Sequence, residues 1–117
     1  MENKDFANEL EMRTKKFAVR IIKLSISLPK SEEGRVIKNQ ITKSGTSVGA
    51  NYREANRARS KADFKNKVKI SESEASETQY WLEIIEDMNW IKEDKLEFIK
   101  KECSELVAIF TSIASKL

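Results

Sequence analysis

The side chains best suited to chemistry in this 117-residue chain are a run of cations: Arg53, Arg57, Arg59, Lys61, Lys65, Lys67 and Lys69. Arg53 and Arg57 are one helical turn apart, as are Lys61 and Lys65, so on a helix they stand in rows along one surface. Such rows suit a phosphate backbone, whose condensed counterions are released as successive phosphates are neutralised. Arg13, Lys16 and Arg20 extend the candidate nucleic-acid-binding set towards the start of the chain. No glycine-rich phosphate loop, zinc knuckle or RNA-recognition signature accompanies these cations, so the sequence supports affinity better than sequence-specific readout. Tyr52, beside Arg53, has two readings: stacking on an unpaired base, or burial at its helical position.

The net charge of +3 conceals a strong segregation. Residues 13–69 hold 16 Lys or Arg against Glu32, Glu33, Glu54 and Asp63, a balance of +12, whereas residues 70–117 hold 5 Lys against 11 acids, a balance of −6. A solvated cationic face on long helices would give the same pattern as a binding surface. Where a cationic helix neighbours an acidic one, some of these charges pair with each other.

Several chemistries are excluded or disfavoured. Histidine is absent, so no Ser-His or Cys-His nucleophile, histidine-containing zinc site or Glu-x-x-His di-iron bundle is possible. Glu72, Glu74, Glu77, Glu83, Glu86 and Asp87 lack a matched carboxylate row on another helix, which argues for a solvated face or counter-charges to a neighbouring subunit. Cys103 lies in an apolar stripe and reads as a reduced core thiol. The expectation is a protein that is not an enzyme, with no metal and no cofactor. The longest apolar runs are too short to span a bilayer, and Glu2, Lys4 and Asp5 do not resemble a secretory leader, so the expected location is cytoplasmic and away from membranes.

Stepping outwards from the cations, the residues just before them are unusually small. Gly45 and Gly49 are four apart and share a helix face, each costing about 1 kcal/mol relative to Ala. Either close helix packing or a ligand approaching the backbone would explain them.

Only three Gly and one Pro are present, so long helices are favoured over a sheet, and 39% hydrophobic content in one short chain fits a single domain, 1–117. The first helix is predicted from about Asp5 to Leu28 on Phe6, Leu10, Phe17, Ile21, Leu24 and Leu28, with a polar turn at Arg13 and Thr14. Pro29 stops it and Ser31 caps the next, which runs from Glu32 to about Ala58. Ser60, with Asp63 three residues on, proposes a third helix from Lys61 to Met88, or else a kink. Its stripe is Phe64, Val68, Ser71, Ala75, Thr78, Leu82 and Ile85, and its small members suggest a close fit to the small residues of the second helix. A turn at Asn89, Trp90 and Ile91 leads to a fourth helix beginning at Glu93 and Asp94, with Leu96, Ile99, Cys103, Leu106, Phe110, Ile113 and Leu117 in heptad register. Short loops make this an all-α, up-down-up-down four-helix bundle. Val19, Ile22, Ile26, Val107 and Ile109 fall outside the narrow stripes, as a widened core face or a self-association surface.

Residues 44–55, SGTSVGANYREA, followed by Arg57-Ala58-Arg59-Ser60-Lys61-Ala62 and the Glu74-Ala75, Glu77-Thr78 and Tyr80-Trp81-Leu82-Glu83 group, resemble the proteins encoded in intervening sequences of bacterial 23S ribosomal RNA genes. Arg13-Thr14-Lys15-Lys16-Phe17 and Leu28-Pro29 extend the resemblance to nearly the whole chain. It implies a four-helix protomer assembling into a ring-like homopentamer. It also implies kinship with the accessory subunit of diversity-generating retroelements, which binds nucleic acid and a reverse transcriptase. Asn56, where a small residue or Cys is expected, and Lys92, where a capping Ser or Thr is common, depart from the pattern.

The leading expectation is a non-catalytic oligomeric scaffold that binds RNA through the basic residues of the first two helices and the join to the third. The runner-up is an adaptor that docks a polymerase-type protein.

Overall fold

The structure, a computed structural model, describes residues 3–117; Glu2 lies outside them. Four helices follow in order: α1 (Lys4–Ile26), α2 (Glu32–Ala55), α3 (Lys61–Asp87) and α4 (Glu93–Ser115). Each packs on the next, and α4 returns to α1, so α1 lies diagonally across from α3 and the expected up-down-up-down bundle is formed. The protomer measures 44 × 24 × 20 Å.

The helix boundaries follow from local chemistry. Asn3 Oδ1, Ser31 Oγ and Ser60 Oγ accept from the amides of Phe6, Gly34 and Asp63, satisfying donors that the first turns of α1, α2 and α3 leave open. Lys92 gives α4 no such bond, and its start relies on Glu93 and Asp94 against the helix dipole. The join between α2 and α3 is a true break. Helix α2 ends three residues earlier than the sequence suggested, because Arg57 and Ala58 donate to the carbonyls of Glu54 and Ala55 in tightened turns. At the far end of α3, Asn89 takes a left-handed conformation (φ 57°). Asn89 then donates to Glu86 O, and Trp90 to Ile85 O, a Schellman closure made without glycine.

All seven residues of the predicted α3 stripe are buried, and so are all those of α4 except Leu117. Tyr52 is fully buried and packs edge-to-face on Phe110, ring centroids 5.4 Å apart, so it belongs to the core and not to a base-stacking surface. Among the surplus apolar residues, Val107 and Ile109 pack against the core, while Val19, Ile22 and Ile26 remain exposed.

The glycines serve close helix packing, and the helix they seat is α1: a Cβ at Gly45 would lie 2.7 Å from Ile21 Cγ2, and one at Gly49 would lie 2.9 Å from Thr14 Oγ1. Thr14, in the supposed polar turn of α1, is buried beneath Gly49 and donates back to Leu10 O at 2.9 Å. The seam between α2 and α3 is closed instead by hydroxyls. Thr78 donates to Ser44 Oγ at 2.8 Å, and Ser71 to Val48 O at 2.8 Å.

Candidate nucleic-acid interface

The break between α2 and α3 carries the cations at one end of the bundle. Ala55 and Phe64 are buried on either side of it and anchor the join, leaving Arg53, Arg57, Arg59 and Lys61 exposed and Lys65 half-buried. Lys4, at the start of α1, shares a shallow recess with Arg57, Asn56 and Phe64. Among the described residues, Arg57, Arg59, Lys61 and Lys65 form no ion pair. Arg53 is only loosely engaged, its Nε 3.6 Å from Glu11 Oε1. The same Glu11 accepts from Asn56 Nδ2 at 2.8 Å, tying α1 to the join.

The α1 members of the predicted set are placed elsewhere. Arg13 lies between α1 and α4, its Nε 2.7 Å from Glu102 Oε2 and its Nη2 within 2.8 Å of Glu102 Oε1 and 2.6 Å of Glu105 Oε1. The bond to Glu102 holds the guanidinium still more firmly protonated, and the same bond draws the Glu102 carboxyl below its usual range against the opposing effect of burial. Arg20 rests 4.3 Å from the centroid of the Phe98 ring on α4, a cation–π contact. Lys16 is exposed and forms no ion pair among the described residues. The predicted set therefore divides into a cluster at the α2–α3 join, a pair bound to α4, and an isolated lysine.

The remaining titratable groups are structural in setting. Burial pushes the Cys103 thiol up to about 12, and its Sγ donates to Ala75 O at 3.3 Å. Lys100 donates to Glu86 at 2.6 Å, which raises the ammonium's pKa. Glu72 accepts from Thr111 on α4. Burial, then the neighbouring charge of Glu77, raises the Glu74 carboxyl. Among the described residues no group of three or more Cys, Asp or Glu is arranged to hold a metal ion, and no helix is long and apolar enough to cross a membrane.

The described residues define an all-α four-helix bundle. The 23S rRNA-intervening sequence protein family model matches residues 7–112, and the chain belongs to that family. A crystal structure from Bacteroides thetaiotaomicron VPI-5482, described as a protein with unknown function from the S23 ribosomal protein family, is 40% identical. The similarity spans 89% of this chain and 96% of that one, with a TM-score of 0.83. No curated protein matches the chain.

Proposed function

We propose that this chain is a non-catalytic, oligomeric scaffold that binds RNA through the cationic end made by Arg53, Arg57, Arg59, Lys61 and Lys65. The observation that carries the reading is that four of these cations have no carboxylate partner among the described residues, so their charge is available to phosphates. With no base-reading motif beside them, binding is strongly salt-dependent and weakly sequence-dependent. Resemblance supplies the assembly: a closed ring, a homopentamer, which would gather several cationic ends on one particle and bind structured RNA with avidity. The test is affinity for structured RNA across a salt series, with oligomer mass from native mass spectrometry. Absence of binding at low salt, or binding unchanged after Arg53, Arg57, Arg59 and Lys61 are neutralised, removes the RNA reading.

The second reading, an adaptor for a polymerase-type protein such as a reverse transcriptase, is favoured by the exposed apolar residues Val19, Ile22 and Ile26 on α1. Pull-down with and without nuclease separates the two. Partners retained after nuclease favour the adaptor; partners lost favour RNA as the bridge.

A further inference from the structure

We propose that a recess on the outer face of α3 is the seat for the outer face of α1 from a second copy of this chain. The inference rests on the oligomeric part of the proposed function and adds the two surfaces that meet.

On α1, Met12, Val19 and Ile26 are seven residues apart and point away from the buried row of Leu10, Thr14, Phe17 and Ile21. They are 60%, 43% and 65% exposed, with Ile22 alongside. An apolar row at this spacing is the pattern of a helix with a partner, and here the partner is not in the protomer. Lys15, Lys16 and Lys23 flank it, exposed and without ion pairs among the described residues.

On α3, the recess is lined by Glu72, Ser73, Ser76, Glu77 and the adjoining rings of Tyr80 and Trp81. The two serines are small enough to leave room for an incoming aliphatic side chain, Tyr80 is an exposed aromatic wall, and Glu72 and Glu77 supply negative charge.

Charge complementarity selects the occupant. Pairing α1 with α1 of another copy would set Lys15, Lys16 and Lys23 against their own counterparts, and like charges at an interface oppose association. Pairing it with the α3 recess sets those lysines against carboxylates and the apolar row against serine-floored space and aromatic rings. Because α1 and α3 are diagonal in the bundle, the two faces look in opposing directions, and one copy can use both at once. Two different faces meeting head to tail generate a ring or an open chain, not a two-fold dimer.

The experiment is native mass spectrometry and light scattering of the full chain in low salt, with RNA affinity measured on the same samples. Lys15→Glu with Lys23→Glu, and separately Glu72→Lys with Glu77→Lys, are each expected to raise the concentration at half-assembly at least about tenfold, and all four changes together to restore it. Val19→Ser and Tyr80→Ser test the apolar half without altering charge and are expected to weaken assembly with helical circular dichroism unchanged. Assembly at the wild-type concentration in both reversals and both serine variants overturns this pairing while leaving the oligomer reading intact. A monomeric wild type overturns both. Loss of RNA affinity with assembly unaffected in the Lys15 and Lys23 variant assigns the α1 face to nucleic acid instead.

Discussion

The α1–α4 seam and the α2–α3 join both carry cations, yet only one of them has charge to offer. At the seam, Arg13 is held by Glu102 and Glu105 and Arg20 lies on Phe98. At the join, Arg57, Arg59, Lys61 and Lys65 have no carboxylate partner among the described residues. The cause is tertiary. Helices α1 and α4 touch over less of their length than any other neighbouring pair, and acids from the negative half of the sequence supplement that thin contact. The join lies where α2 ends and α3 begins; Glu11 near it is taken up by Asn56 and Arg53, and Asp63 sits in the first turn of α3. A cation counted in sequence is therefore not yet a cation available to a ligand.

The largest effect expected on this contrast comes from Gly45→Val. Its side chain would enter space already filled by Ile21, where a Cβ alone comes within 2.7 Å, so α1 must move off α2. Overpacking of this kind costs about 2–3 kcal/mol, read as a lower midpoint in denaturant. It should loosen the Arg13 clasp while leaving the join's RNA affinity within about twofold under folding conditions, since a join controlled by α1's seat would lose more.

Glu102→Gln acts on the clasp directly and should destabilise by about 1–2 kcal/mol near neutral pH, a figure already reduced for the partial exposure of Arg13. Its pH dependence carries a definite sign. The Glu102 carboxyl is more acidic in the folded chain, so the folded state binds fewer protons through the carboxylate range and stability rises with pH there. The contribution is complete above the unfolded value, near 4.5, and disappears as pH falls through the lower folded value. Denaturation of wild type and Glu102→Gln should consequently converge on acidification; a constant gap would mean that the clasp is not ionic.

Phe98→Ala should have the smallest effect, about 0.5–1 kcal/mol for the exposed cation–π contact with Arg20. It frees the Arg20 guanidinium without changing formal charge. If RNA affinity rises, the contrast between held and free cations sharpens; if it falls, Phe98 itself contacts the ligand.

The helical framework was legible because its signals are local. Heptad spacing revealed the buried faces of α3 and α4 almost residue for residue, and Ser31 and Ser60 marked two helix starts. What was not legible depends on which helix lies opposite. Thr14 looked like a polar interruption and is buried, because Gly49 on α2 leaves room above it. Close packing at the glycines was legible but its partner helix was not: Gly45 and Gly49 stand about a third of a turn from the Ser44 line and so face α1. The candidate site divides in the same way. The cation run was visible in sequence, whereas the capture of Arg13 by residues of α4 follows only from the folded arrangement.

The decisive measurement is RNA affinity across a salt series for two variants of equal charge change, Arg57→Gln with Lys61→Gln at the join and Arg13→Gln with Arg20→Gln at the seam. The join pair should lose on the order of tenfold in affinity at low salt and flatten the log–log salt slope by about 1.4 to 1.8, while the seam pair leaves the slope unchanged and lowers stability instead. Equal losses from both pairs would show that net charge alone governs binding, and that the cationic end is not the site.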